Sequence, residues 1–236
     1  MTSFFVTKAK AKAQLVGIKA AMTLLPAPRP TVFSGEGAAL KLCQAMATFG
    51  HKNVLIVSDK ILNNLGVLKP LEAKLQELGV KVAIFDGVMP DPTMSITEAC
   101  LQHYKTAHCD SVLAVGGGSS IDVAKVVALA ASTQKTPQQL VGILKSRKPS
   151  SPLYAIPTTA GTGSEVTPIS IVTTGATTKM GVVSPILYAD VAILDATFTQ
   201  GLPAHITAAT GRACSSARGR DPLPGCRWSA ACRHKK

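Results

Sequence analysis

Two short glycine- and threonine-rich stretches hold the residues best suited to chemistry. Gly116-Gly117-Gly118-Ser119-Ser120-Ile121-Asp122 follows the apolar run 111–115, and Pro157-Thr158-Thr159-Ala160-Gly161-Thr162-Gly163-Ser164-Glu165 follows Leu153-Tyr154-Ala155-Ile156. Consecutive glycines let a backbone approach a ligand with no Cβ in the way, and a helix start beyond them offers free N–H groups to an anion. Gly116 to Ser119 are therefore expected to cradle a pyrophosphate, and the hydroxyls of Thr158, Thr159 and Thr162 to form a wall beside a phosphate or ribose. Together the stretches predict a dinucleotide lying across strand ends. The first is not the G-x-G-x-x-G fingerprint. A plain tight turn is the alternative, but each ordered glycine costs about 0.5–1 kcal/mol relative to alanine, and a turn rarely needs three in a row.

Other candidates are single residues. Asp59 ends an apolar run, where a carboxylate can take both hydroxyls of an adenosine ribose and repel a 2′-phosphate; the plainer role is a helix N-cap. Asp122 and Lys125 lie three apart on one helical face. They read as a surface ion pair worth under about 1 kcal/mol, or as part of the ligand's surroundings, with Lys125 supporting its charge. Lys179 is an exposed lysine or a ribose contact, and His205 a structural histidine or a ligand contact. Cys100, His103, His108 and Cys109 form a loose cluster whose spacing fits no standard zinc pattern. No Asp is followed four residues later by a His.

The elements that must position these residues follow from periodicity. Strands are predicted at Thr31 to Phe33, Val54 to Val57, Val80 to Phe85, Val112 to Val115 and Leu153 to Ile156. Helices are predicted at Ala38 to Phe49, Leu65 to Leu78, Thr93 to about Lys105 and Ile121 to Ala131. Strands that are apolar on both faces and alternate with helices imply an α/β fold around a covered parallel sheet, which binds ligands at the carboxyl ends of its strands. Beyond Thr167 shorter β-like pieces follow at Ile169 to Thr173, Met180 to Val183 and Val191 to Leu194, then a helical start at Pro203 to Thr210.

Composition narrows the class. The 236 residues are 46% hydrophobic and 16% charged, enough for a substantial core. No apolar run approaches the roughly 18 residues of a membrane span, so no membrane role is expected. Lys8, Lys10, Lys12 and Lys19 break up the start of the chain, which reads as an amphipathic lead-in rather than a secretory signal or organelle leader. Six cysteines without a C-x-x-C pair suggest reduced thiols and a cytoplasmic protein. Residues 212–236 hold seven of the 25 basic residues and one of the 13 acidic ones, so half of the net charge of +12 sits there. The basic residues of that tail follow no helical stripe, and Trp228 is its only aromatic, so no nucleic-acid partner is expected.

These motifs resemble the iron-containing (group III) alcohol dehydrogenases. The residues that carry the resemblance are Asp86-Gly87 with Pro90-Asp91-Pro92-Thr93, the run Gly116 to Lys125, Ile156 to Thr167, Asp190 to Asp195, Leu202-Pro203, and Thr207 to Gly211. The resemblance implies an NAD-binding parallel-sheet domain of the dehydroquinate synthase-like or iron alcohol dehydrogenase-like kind. A second, helical domain holds Fe²⁺, and the reaction interconverts a primary alcohol and an aldehyde. It assigns the cofactor to Asp59, Asp91, Gly117, Gly118, Ser119, Thr158, Thr159, Thr162 and Lys179, and Asp122, beside the first loop, is taken as a further cofactor-binding candidate. The family's first two metal ligands, Asp-x-x-x-His, fall here on Ala213 and Ala217, and the other two would lie beyond residue 236. No metal ligand and no catalytic residue is therefore assigned. The expected organisation is a lead-in over 1–29, a dinucleotide-binding domain with the start of the helical domain over 30–211, and a basic, disordered tail over 212–236. That tail is read as out-of-frame translation. With the helical domain essentially missing, apolar surface is expected near Ile186, Leu187, Ile193, Leu194, Phe198 and Leu202, favouring aggregation or a homo-oligomer. The functional expectation is an impaired NAD-dependent alcohol dehydrogenase or an inactive dinucleotide-binding remnant.

Overall fold

Short apolar runs bounded by polar or glycine residues become the strands. A computed structural model describes residues 29–174, 178–202, 206–208 and 210–211. Its strands are Thr31–Ser34 (β1), Asn53–Val57 (β2), Lys81–Phe85 (β3), Ser111–Gly116 (β4), Gly142–Ile143 (β5), Leu153–Pro157 (β6), Ile169–Thr174 (β7), Thr178–Val183 (β8) and Val191–Leu194 (β9). Its α-helices are Ala38–Thr48 (α1), Lys60–Asn64 (α2), Lys69–Glu77 (α3), Met94–Thr106 (α4), Gly118–Thr133 (α5), Pro137–Leu140 (α6) and Thr197–Gln200 (α7).

Six strands form one sheet in the order β1-β9-β6-β4-β2-β3, with every pair parallel. The period of two along each strand sends alternate side chains to opposite faces. Leu55, Val57, Val112, Ala114, Leu153 and Ala155 pack with α4 and α5 on one side; Val54, Ile56, Leu113, Val115, Tyr154 and Ile156 pack with α1 and α3 on the other. Burial of each large side chain stabilises the fold by about 1.5–3 kcal/mol. A smaller sheet, β5-β8-β7, pairs β7 and β8 antiparallel and docks beside α5. The winding reverses beside β4. The chain runs outward from β2 to β3, returns to β4, then moves the other way to β6 and β9. Open α/β sheets bind ligands at such a reversal, outside the carboxyl ends of the strands.

Three expectations need correction. The helix expected over Leu65 to Leu78 starts later, as α3 at Lys69, and a separate short helix, α2, ends before Leu65. Gly66 has a φ of 73°, a left-handed conformation that cannot continue an α-helix, and Pro70 opens the first turn of α3. The apolar residues near the end of the domain are not an uncovered patch. Leu187 and Ile193 are buried, and Ile186 and Phe198 pack against the two cores. Ile193 is covered because β9 is an interior strand between β1 and β6, and Leu187 because its turn packs against α5. The exposed large apolar side chains lie elsewhere, with Val32 and Phe33 on edge strand β1 and Ile169 and Ile171 on β7 among them. Lys125 does not lie on the surface; it is fully buried. The expected lead-in up to residue 28, the tail over 212–236 with Ala213 and Ala217, and Pro203 and His205 lie outside the described residues. No helix among the described residues is long and apolar enough to cross a membrane.

Candidate functional site

The two glycine-rich loops come together because β4 and β6 are neighbours. The Thr158 N–H donates to the Gly116 carbonyl at 3.0 Å, carrying the β4–β6 ladder one step past the strands. Space for a side chain is least at Gly116, limited at Gly118 and ordinary at Gly117. A Cβ at Gly116 would stand 2.5 Å from Ser120 Oγ, one at Gly117 3.4 Å from Thr159 Oγ1, and one at Gly118 3.1 Å from Ser164 Oγ and 3.5 Å from Thr162 Cβ. Gly117 is the N-cap of the 16-residue α5 and supplies no side-chain cap. The first N–H groups of α5, including those of Gly118 and Ser119, are left without a capping side chain at the positive end of the helix dipole.

Thr159 Oγ1 is buried and has no hydrogen-bond partner among the described residues. An unpaired buried hydroxyl costs about 1–3 kcal/mol. Its position beside the Gly117 backbone fits a hydroxyl kept for a ligand oxygen. These features together form a cradle that fits a pyrophosphate.

Across the reversal, Ser58 Oγ donates to the Val115 carbonyl at 2.7 Å and fixes the end of β2 against β4. Asp59 follows at once. It caps α2, with Oδ1 accepting the Leu62 N–H at 2.9 Å, so the plainer of its two expected roles is present. The cap engages Oδ1 alone and does not conflict with a contact through Oδ2. Asp91 and Lys179 are brought to each other. Lys179 Nζ and Asp91 Oδ1 form an exposed ion pair at 2.6 Å, with Asp91 held at a φ of 54°. The loop carrying Asp91 is tied to β7, because the Thr173 N–H donates to the Pro92 carbonyl at 2.8 Å.

Beneath the loops lies a buried charged group that the sequence reading divided differently. Asp122 Oδ2 accepts the Ile171 N–H at 3.0 Å, and Ser170 Oγ donates to the Asp122 carbonyl at 2.8 Å. Lys125 Nζ donates to Thr167 O, Thr167 Oγ1 and Ile169 O at 2.8, 3.2 and 2.8 Å. Its ammonium therefore braces the backbone around β7 and is not used for a ligand's charge. Burial lowers the Lys125 pKa to about 8, against the opposing pull of Asp122 and Glu165. Burial raises the pKa of Asp122 and of Glu165, each partly offset by Lys125. Asp122 Oδ1 and Glu165 Oε2 have no hydrogen-bond partner among the described residues. In the sequence Glu165 is only the last letter of the second motif. Its burial comes from the 3₁₀ turn Ser164–Val166 folding under α5, which no local pattern announces.

A family profile described as iron-containing alcohol dehydrogenase matches residues 28–196. The chain belongs to the iron-containing alcohol dehydrogenase family. Alcohol dehydrogenase 4 of Schizosaccharomyces pombe is 36% identical over 178 residues, spanning 75% of this chain and 42% of that protein. A crystal structure of 1,3-propanediol oxidoreductase superimposes with a TM-score of 0.76 at 34% identity, covering 80% of this chain and 50% of that one. Sulfoacetaldehyde reductase from Bifidobacterium kashiwanohense, solved in complex with NAD⁺, superimposes with a TM-score of 0.71 at 31% identity over 78% of this chain and 49% of its own. This member of the iron-containing alcohol dehydrogenases spans about half the length of the relatives it matches.

The two positions at which the resemblance expects the family's first metal ligands hold no donor. Positions 213 and 217 are alanines, whose methyl groups donate no lone pair to iron. Among the described residues no group of three or more His, Cys, Asp and Glu side chains is gathered for a metal. In the loose cluster, Cys100 and Cys109 are buried thiols, the latter pushed up to about 11 by burial, while the His103 ring packs against Phe85. No step is derived through iron.

Proposed function

We propose that this chain binds NAD(H) across the crevice between β2 and β4, as the cofactor-binding part of an alcohol dehydrogenase that interconverts a primary alcohol and an aldehyde. One observation carries the reading. The glycine backbone of one loop packs against the threonine wall of the other at the winding reversal, with the buried Thr159 hydroxyl unpaired between them. When bound, the nicotinamide would supply or accept the hydride. The N–H groups of Gly118 and Ser119 would meet the pyrophosphate, with Thr158, Thr159 and Thr162 opposite. Asp59 would take the adenosine ribose hydroxyls through the oxygen its cap does not use. Asp91 and Lys179 would open their exposed pair toward the second ribose, at little cost, because such pairs are worth about 0–1 kcal/mol.

A second reading rests on Ala213 and Ala217. A chain with no donors at those positions binds the dinucleotide without turning over, or turns over weakly. Titration calorimetry of the purified chain tests the binding reading. NAD should bind more tightly than NADP, because the Asp59 carboxylate repels a 2′-phosphate, and Asp59→Gly should relax that preference. Equal affinity of the unmodified chain for the two would remove Asp59 from the site. Oxidation of NADH with a short aldehyde, with and without added Fe²⁺, separates an impaired enzyme from an inactive remnant.

A further inference from the structure

We propose that Lys125 is a positioning residue whose ammonium sets the spacing between the two dinucleotide loops, by tying the helix that begins at the first loop to the backbone that leaves the second. The proposal rests on the NAD-binding reading. α5 begins at Gly118, and Lys125 lies seven residues, or two turns, further along. The second loop ends at the 3₁₀ turn Ser164–Val166, and the next residues, Thr167 to Ile169, supply all the acceptors that Lys125 uses.

An ammonium has three N–H donors. Here three acceptors, two carbonyls and one hydroxyl, lie at 2.8 to 3.2 Å from Nζ. The side chain is fully buried, so water replaces none of these bonds. A methionine would fill similar space without the desolvation cost of a charge, so the retained ammonium needs a role that packing does not supply. Asp122 adds a second stitch between the same helix and the same strand through Ile171 and Ser170. Between these ties and the loop tips, Gly118 and Ser164 stand so close that one added methyl would reach 3.1 Å. A shift of a few tenths of an ångström at the brace would alter the cradle.

The charged groups facing Lys125 are Asp122 from its own helix and Glu165 from the 3₁₀ turn, while β7 presents backbone carbonyls. Its lowered pKa of about 8 means that raising the pH from 7 to 9 removes one donor from a fully used set.

Calorimetry with NAD on the full chain tests the brace. In the unmodified chain, affinity should fall several-fold from pH 7 to pH 9. Lys125→Met should bind about tenfold more weakly at pH 7 and show no such fall, because bonds from a charged donor are among the stronger ones. Thr167→Val removes one acceptor and keeps the ammonium. It should weaken binding by about threefold and retain the fall with pH, and it decides the matter if Lys125→Met does not fold. NAD affinity within twofold of the unmodified chain in a folded Lys125→Met, or in Thr167→Val where Lys125→Met does not fold, overturns the brace. So does a flat profile in the unmodified chain. Failure of the unmodified chain to bind NAD at pH 7 overturns the cofactor reading and the brace with it.

Discussion

Glu165 shows how much one residue's surroundings outweigh its type. Its carboxyl is 2% exposed beneath the second loop, and burial raises its pKa, as it does that of Asp122. Between the ordinary carboxylate range and the raised values the folded chain holds protons that the unfolded chain has released. The stability these groups contribute is complete below their ordinary values, near pH 4, and is lost as pH rises through their folded values. Lys125 has the opposite sign of proton uptake. Its lowered pKa makes the unfolded chain the better proton binder between about 8 and 10.5, so stability rises with pH across that window. Urea midpoints measured from pH 4 to pH 7 should therefore decline less in Glu165→Gln than in the unmodified chain, since the amide does not ionise. Parallel declines would show that Glu165 ionises as freely when folded as when unfolded.

At the scale of elements, the decisive contact is between the start of α5 and the loop after β6. Gly118 is the first residue of α5, where alanine's advantage over glycine as a helix former is below the roughly 0.8–1 kcal/mol it has in a helix interior. Its missing Cβ is also the space in which Ser164 Oγ and Thr162 Cβ sit. Gly118→Ala should thus leave the melting temperature nearly unchanged or slightly higher, while NAD affinity falls by about tenfold as the loops are pushed apart. Thermal melts and calorimetry on the same preparation check both halves. A loss of stability with unchanged affinity would mean that the glycine serves packing alone. Asp195 plays a comparable linking part on the other side of the sheet. Its buried carboxylate accepts the Ala39 N–H at 3.3 Å and the Thr197 hydroxyl at 2.7 Å, joining the first turn of α1 to α7.

For the whole molecule, stability resides in the two faces of the central sheet rather than at its edge. Leu113, on β4, is completely buried in the face covered by α1 and α3. Leu113→Ala should cost about 2–5 kcal/mol, lowering the urea midpoint without changing the slope. Phe33, on edge strand β1, is 55% exposed, and Phe33→Ala should cost about 0.5 kcal/mol or less. Similar losses for the two would mean that β1 is covered in solution, for example by another copy of the chain.

The sequence alone determined the parallel α/β architecture. Val54 to Val57, Val112 to Val115 and Leu153 to Ile156 are apolar on both faces, a pattern that only a sheet covered on two sides satisfies. It also determined where the candidate ligand loops fall, because three consecutive glycines after a strand suit a close backbone approach. Tertiary structure decided what those loops touch. Lys125 and Asp122 are three residues apart on one helix and looked like a surface pair. β7, more than forty residues later, packs over that helix face and turns them into buried ties to its backbone. The same holds for Ile193, whose burial follows from β9 inserting between β1 and β6, and for Leu187, which packs into the core face covered by α4 and α5. Periodicity reports which face of an element is apolar. Which partner covers that face depends on strand order, and strand order is set by contacts between residues far apart in the chain.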